Sequence, residues 1–527
     1  MNYSDLFRVT LPETALEVAA LLVLIVDLGF LRKAALKTRV AVAALLGVAG
    51  CGAALWALQF QGHGLLQFDD NGNGFGLLMT GGYVSVAQSG ILVLTALTLL
   101  LLIDSAFTRH AGEFVAVVLM AATGGLLIAG AMDLLVIFVG LELLSLGLYI
   151  LTAFAKSSEK SAEAAIKYYL FGGMSAAFLL FGFSYLYGLS GTTDLACVQC
   201  AMTPEGASPL FYVAWLLVAA GLGFKVAAAP FHLWVPDTYE GAPAPAAAFI
   251  ASVSKVASFA LLVTLSMNWV VPRCQTAGNR DSVNSFLQQF SFAWHHVAAI
   301  FLVVAAASMI VGNLAALAQV SVRRLLAYSA IAHAGYILLG IVTLRVYPGQ
   351  GSIGEFYLSS IGPAARSTNA VLYYVLTYGL TTIGAFGVVS VVERATGSDR
   401  LDSFLGLHKR NPLLAAVLLV LFLSLAGIPP LVGFWAKFNL FAAVLGVSAG
   451  PVPFALVALA VAFSAVSLYY YLQVLKRAYV MPAIDESPIK AHPVTLAVLV
   501  AIAAAVVVLG CFPALLQGWI ESFYPPM

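Results

Sequence analysis

Fourteen apolar stretches of about twenty residues or more follow one another along this chain, and that spacing leaves little choice of fold. A helix of about twenty apolar residues crosses a bilayer. The stretches lie near 11–31, 40–60, 83–103, 112–131, 133–153, 164–189, 210–232, 243–266, 295–319, 326–345, 370–393, 412–447, 453–475 and 493–517, the twelfth being long and interrupted. They predict an all-α integral membrane protein of about fourteen transmembrane helices. Composition agrees: 61% of the 527 residues are hydrophobic and 9% charged, against about 25% charged in globular proteins. The net charge of +1, without clustered Lys and Arg, makes the lipid bilayer the expected partner and excludes nucleic acid. No cleavable signal peptide is expected, because the first apolar stretch follows Glu13 and Glu17 rather than a basic leader.

Orientation follows from the basic residues, which concentrate in cytoplasmic loops. Arg32, Lys33, Lys37, Arg39, Arg109, Lys156, Lys160, Arg323, Arg324, Arg394, Arg400, Lys409, Arg410, Lys476, Arg477 and Lys490 fall on one side of the expected spans. Only Arg8, Arg273, Arg280, Arg345 and Arg366 fall on the other. Both termini are therefore expected outside the cytoplasm.

The remaining basic residues, Lys167, Lys225, Lys255 and Lys437, lie inside or at the mouth of spans. A charge in hydrocarbon costs roughly 2.5–3.5 kcal/mol even on the lenient insertion scale, so it marks a functional site by default. Two of these lysines stand beside broken helices. In Gly221-Leu-Gly-Phe-Lys225-Val-Ala-Ala-Ala-Pro230-Phe-His232, proline strips the Val226 carbonyl of its helical donor. In Ser424-Leu-Ala-Gly427-Ile-Pro429-Pro430-Leu-Val-Gly433-Phe-Trp-Ala-Lys437, two prolines and two glycines interrupt the twelfth span. Freed carbonyls and half-helix ends suit ions, protons and water; a packing kink is the plainer alternative.

Glu142, about mid-span in Asp133-Leu-Leu-Val-Ile-Phe-Val-Gly-Leu-Glu142-Leu-Leu-Ser145, is the candidate partner of Lys225. Their attraction at about 6 Å would be roughly 3 kcal/mol at an effective dielectric near 20, enough for an approaching charge to open or close the pair. A static structural ion pair is the alternative. Lys255 has Ser252 and Ser254 as close polar neighbours in the eighth span. His333 lies well inside the tenth, and imidazole titrates near neutrality, which suits a relay; a hydrogen-bonded structural histidine is equally open. Lys167, near the cytoplasmic end, is expected to snorkel or to pair with Glu163 at i, i+4. Tyr469, Tyr470 and Tyr471 are expected as interfacial or packing aromatics.

Other chemistry is not expected here. The chain has no Walker-type Gly-x4-Gly-Lys run and no strand-linked dinucleotide fingerprint. The glycines of Asn71-Gly-Asn-Gly-Phe-Gly76 read as a polar outer loop. His232 and His333 make no axial haem pair. Cys197-x-x-Cys200 and Cys274 lie in outward loops, where a disulfide and free thiols are both open, and no metal-ligand spacing appears.

At its motifs the chain resembles a known family. Phe224-Lys225-Val-Ala-Ala-Ala-Pro230-Phe231-His232-Leu-Trp234-Val-Pro236-Asp237-Thr-Tyr239-Glu240-Gly241-Ala-Pro243-Ala-Pro245 closely resembles the antiporter-like N-type subunits of proton-pumping NADH:quinone oxidoreductase, respiratory complex I. Ser254-Lys255, Leu326-Ala-Tyr328-Ser-Ala-Ile-Ala-His333 and Ile428-Pro429 through Gly433-Phe434 to Lys437-Phe438 look the same. The likeness runs from about residue 110 to 480. It implies two inverted five-helix repeats, spans 4–8 and 9–13, with helices 7 and 12 broken. That divides the chain into helices 1–3 (1–110), a first repeat (111–267), a second (295–478) and a last helix (490–527). It also implies proton-path roles for Glu142, Lys225, Lys255 and Lys437, with His333 as a relay and Pro230, Gly427, Pro429 and Pro430 at the breaks. Lys437 favours the N type over the M type, which carries a glutamate there. The end at Met527 argues against the L type, which has a long C-terminal helix. The resemblance places no cofactor on this chain. FMN, iron–sulfur clusters and quinone are expected on partner subunits. M-type and K-type subunits are expected as neighbours in the membrane arm, and a bacterial inner membrane is the expected location. Two rivals remain: a subunit of a multi-subunit Na+/H+ antiporter, and a structural spacer.

Overall fold

A computed structural model describes residues 3–61, 64–68, 75–105, 107–195, 198, 208–267, 280–342, 353–447, 450–483 and 485–523, and the side chains of all of these but 3–5, 64–68, 75, 267, 280–296, 353–365 and 447. Cys197, Cys200 and Cys274 fall outside the described residues. The chain opens with α1 (Tyr3–Val9), α2 (Leu11–Ile25, continued by a π turn Val26–Phe30) and α3 (Leu36–Leu58). A hairpin β1 (Gly64–Phe68) and β2 (Phe75–Thr80) precedes α4 (Gly82–Leu102), α5 (Ala111–Gly130), α6 (Leu134–Thr152) and α7 (Glu159–Ser190). Then come α8 (Pro209–Lys225), the short α9 (Trp234–Gly241), α10 (Ala244–Met267), α11 (Arg280–Leu317), α12 (Val322–Val342) and α13 (Ile353–Thr396). The last are α14 (Leu407–Arg410), α15 (Pro412–Ala426), α16 (Val432–Val447), α17 (Pro451–Tyr479), α18 (Pro493–Cys511) and α19 (Pro513–Ser522).

Among the described residues, eleven helices are long and apolar enough to cross a membrane, and α8, α15 and α16 are shorter apolar helices. Local chemistry sets several ends. Asp133 caps α6 through the Leu135 and Val136 amides, Ser158 caps α7 and Asn411 caps α15 ahead of Pro412, each satisfying amides that a helix start leaves unpaired. α10 is buried all round, packed against α13, α4 and α5, as a helix apolar on every face must be. α12, nearly as buried, packs on α11 and α13. Lys255 and His333 ride on these two central helices, so neither can reach lipid. α17 leaves most of its surface outside the core.

Connections gather on two faces. On one, Arg8 Nε donates to the Phe60 carbonyl (3.1 Å), and bridges join Leu78 to Ala131 and Asp133 to Asp194. On the other, Arg394 pairs with Asp104 (2.5 Å), His492 N donates to the same carboxylate (3.2 Å) and Arg410 Nε donates to Ser487 O (3.1 Å). This second face carries the basic loops.

Three details differ from the sequence reading. Gly76, read as loop, is in β2, which pairs antiparallel with β1. α11 starts at Arg280 and α13 at Ile353, well inside expected outer loops, because a helix need not stop where hydrocarbon does. The last apolar stretch breaks at Phe512 ahead of Pro513, giving the separate amphipathic α19.

Candidate functional site

Lys225 is the final residue of α8, and its side chain is 8% exposed. Nζ donates to Ser145 Oγ at 2.6 Å and lies 3.9 Å from Glu142 Oε1. Ser145 stands one turn after Glu142 on α6, so the same face presents both groups. At about 4 Å the attraction is about 4 kcal/mol at an effective dielectric of 20, yet the shorter contact is with the hydroxyl. The carboxylate is a loose partner, and at 27% side-chain exposure it is the open end of the pair.

Beyond Lys225 the chain leaves the helix. Ala227 adopts φ 65°, a left-handed conformation rare for a residue with a Cβ. Ser308 Oγ of α11 accepts from the Ala229 amide (2.8 Å), and Trp234 Nε1 donates to the Phe224 carbonyl (3.2 Å), fixing the break from both sides. The Val226 carbonyl, freed by Pro230, accepts from Lys255 Nζ at 3.3 Å. The same ammonium donates to Ala330 O of α12 at 2.9 Å and sits over the Tyr378 ring, 5.9 Å from its centre. The two serines expected to serve Lys255 do not. Ser252 and Ser254 donate to Ala248 and Ile250 one turn back in their own helix, the usual resort of a buried helical hydroxyl.

His333 follows Ala330 by three residues. Its Nδ1 lies 2.8 Å from Tyr374 Oη, and its ring packs on Tyr378 (4.8 Å between centres) and edge-on to Tyr336 (5.8 Å). Tyr378 is the ring under Lys255, and Tyr336 is the ring under Lys437, whose Nζ is 5.5 Å from its centre. His333 thus stands between the two lysines with one aromatic face toward each. A cavity of about 10 Å³ lined by His333, Tyr374, Ser424, Leu425 and Gly433 separates it from the second break, space on the order of one water.

At that break Gly427 ends α15 with φ 86°. Gly433 lets α16 approach so closely that a Cβ there would collide with the Ser424 carbonyl oxygen. Lys437 Nζ donates to Leu425 O (3.2 Å), Ala426 O (2.9 Å) and Ser464 Oγ of α17 (2.8 Å). Counting four residues back from Pro429 and Pro430 gives these two carbonyls, so the prolines free the acceptors that the ammonium takes. All three N–H donors are engaged.

Sequence reasoning missed two networks. Asn313 Nδ2 donates to Tyr336 Oη (3.1 Å), Tyr470 Oη donates to Asn313 Oδ1 (3.2 Å), and Tyr471 shares a short hydrogen bond with Ser329. Tyr470 and Tyr471 are therefore packed inside, while Tyr469 is exposed. On the basic face Lys167 pairs with Glu163 (2.6 Å), as expected, and also with Asp237 of α9 (2.7 Å). Arg324 reaches Asp237 (2.7 Å) and Glu240 (3.1 Å), Lys160 reaches Glu240 (2.8 Å), and Arg323 pairs with Glu393. Burial acts to raise both α9 carboxyls. Hydrogen bonds from Lys167 and Arg324 to Asp237, and from Lys160 and Arg324 to Glu240, outweigh it and hold both below the usual carboxylate range. Glu240 alone, placed between a stretch of prolines and a tryptophan, carried no signal of these partners.

Known proteins share this fold. Residues 131–275 and 282–464 match the family described as "NADH:quinone oxidoreductase/Mrp antiporter, TM". The chain is 46% identical to the NADH-quinone oxidoreductase subunit N 2 of Acidobacterium capsulatum, over 99% of both chains. It superposes on a chain of respiratory complex I from Thermus thermophilus with bound aureothin at TM-score 0.72 and 32% identity, covering 96% of this chain and 98% of that one. A chain of the Mrp complex from Dietzia sp. matches at TM-score 0.73 and 21% identity, over 98% of each, a likeness of fold alone.

Proposed function

Because the chain belongs to the NADH:quinone oxidoreductase/Mrp antiporter transmembrane family, we propose that it is the N-type subunit of a proton-pumping NADH:quinone oxidoreductase. In that role it moves protons along Glu142, Lys225, Lys255, His333 and Lys437. Its partners are other membrane-arm subunits, with M-type and K-type neighbours adjoining it. FMN, iron–sulfur clusters and quinone would be carried elsewhere in the complex. The location is a bacterial inner membrane, with the basic face toward the cytoplasm and both termini on the periplasmic side, as the loop charges favour.

One observation carries the reading: from Lys225 to Lys437 each ammonium or imidazole is within contact of a group that also touches the next. Lys225 adjoins Val226, whose carbonyl accepts from Lys255. Tyr378 lies against both Lys255 and His333, and Tyr336 against both His333 and Lys437. Quinone reduction in a neighbouring part would reach the partly exposed Glu142 as a shift of charge. Weakening the attraction between Glu142 and Lys225 lets Lys225 release its proton into the break. Carbonyl dipoles and aromatic faces then hold the cations after Lys225 without committing any to a fixed counter-ion, so no later step needs a buried salt bridge to be torn apart.

The test is the proton-to-electron ratio of membrane vesicles carrying Lys225→Ala or Glu142→Ala in the assembled complex. Loss of most coupled pumping with the complex intact is expected, and an unchanged ratio removes the relay. A sodium/proton antiporter subunit would instead give sodium-dependent transport without NADH. A structural spacer would leave pumping intact in both variants.

A further inference from the structure

We propose that the last span, α18, positions the Lys437 ammonium, with Gly510 and Trp435 as the positioning residues. The inference rests on Lys437 serving the relay proposed above. α18 lies outside the stretches 131–275 and 282–464 that match the family, yet it meets the second break directly. That break needs holding from outside. Pro429 and Pro430 have no amide to donate. The Ile428 and Leu431 amides donate to Leu423 O and Ile428 O, both at 3.1 Å, so neither bond ties the connection to an element other than α15. Gly510 supplies that tie by close approach. A Cβ there would collide with the Pro430 carbonyl oxygen, the Leu431 carbonyl carbon and the Val432 amide nitrogen.

A hydrogen bond joins the same two elements. Gly510 is the penultimate residue of α18, and a helix leaves its last carbonyls without an intrahelical donor. Trp435 Nε1 donates to the Gly510 carbonyl at 2.8 Å. The indole packs edge-on against Phe434 and Phe438, with ring centres 5.5 and 5.8 Å away. Residues two apart on a helix point about 200° from each other, so Trp435 and Lys437 face opposite sides of α16. Drawing the indole to α18 therefore turns Lys437 toward the Leu425 and Ala426 carbonyls. Gly433, one turn before Lys437 and on its side, makes the matching contact with α15, where Ser424 Oγ accepts from its amide at 3.2 Å. The first turn of α16 is thus fixed between α15 and α18. With it is fixed the place from which the ammonium reaches its three acceptors.

The test is the proton-to-electron ratio of inverted vesicles carrying the assembled complex, measured across pH for Trp435→Phe, Gly510→Ala and Lys437→Met. Trp435→Phe keeps an aromatic ring and removes the N–H donor. It should lower the ratio about two- to tenfold, the worth of one modest hydrogen bond, and Gly510→Ala should lower it at least as much. In both, the alkaline limb of the pH profile should move toward acid, because an ammonium held less closely by its carbonyls gives up its proton more readily. A role in folding alone would lower the amount of intact complex and its Tm, and leave the ratio and profile of the assembled fraction as in wild type. That result overturns the assignment. An unchanged ratio in Lys437→Met removes the relay reading and the positioning role with it. A lowered ratio in Lys437→Met beside wild-type behaviour in Trp435→Phe removes the positioning role alone. If Gly510→Ala fails to assemble, Trp435→Phe decides the question.

Discussion

Lys437 Nζ lies 2.9 Å from the carbonyl oxygen of Ala426, the carbonyl that Pro430 deprives of its helical donor. The break in the twelfth span is therefore the cation's binding site rather than a bend beside it. Pro429 does the same for Leu425, whose carbonyl lies 3.2 Å from the amine.

Restoring a backbone donor should compete with the lysine. Pro430→Ala is expected to lower NADH-driven proton pumping on the order of tenfold, the worth of one hydrogen bond to a charged group. Lys437→Met should abolish most pumping yet cost only about 1–3 kcal/mol of stability, since the unpaired carbonyls are partly offset by removing a buried charge. Proton uptake by inverted vesicles, normalised to NADH oxidation, and the Tm of the purified complex check both.

Ser145 holds Lys225 closer than Glu142 does, at 2.6 against 3.9 Å. Ser145→Ala should leave the amine with the carboxylate alone and slow proton release about two- to tenfold, the worth of one modest hydrogen bond. Glu142→Gln should be more severe. Initial pumping rates in reconstituted vesicles order the two variants, and a Ser145→Ala rate equal to wild type would contradict the arrangement.

His333 meets Tyr374 through Nδ1 at 2.8 Å. Tyr374→Phe keeps the packing and removes only that hydroxyl. It should reduce pumping by about tenfold if the hydroxyl orients the imidazole, while His333→Ala should nearly stop it. Both variants should assemble normally, as the band of intact complex on a native gel would show.

The α9 carboxyls give a pH signature. Asp237 is held below its ordinary range in the folded chain, so its contribution is present above the unfolded pKa and is lost as pH falls through the lower folded value. The Tm gap between wild type and Asp237→Asn should be constant from neutrality down to about pH 4, the unfolded value, and close below it. A gap that closes between pH 8 and 6 would contradict the pairing with Lys167 and Arg324.

Much of this site was legible in the residue order because the signals are local. Apolar length marks spans, and a proline names the carbonyl it frees four residues back, which pointed to Val226 before its acceptor role was visible. Lys167 with Glu163 was readable for the same reason, being one helical turn apart. Ser252 and Ser254 misled, because nearness in sequence says nothing of direction: their hydroxyls turn back into their own helix.

The sequence by itself marked the amines set within apolar stretches, the places where helices must break and the loops that carry the basic residues. These depend on hydrophobic length, backbone donors and charge counted along one strand of chain. Tertiary structure alone decided which acceptors those amines meet. The Ala330 carbonyl stands 75 residues from Lys255, and Asp237 stands 70 residues from Lys167 and 87 from Arg324. Such partners are chosen by how α9, α10 and α12 pack, and packing is set by the surfaces of many helices at once.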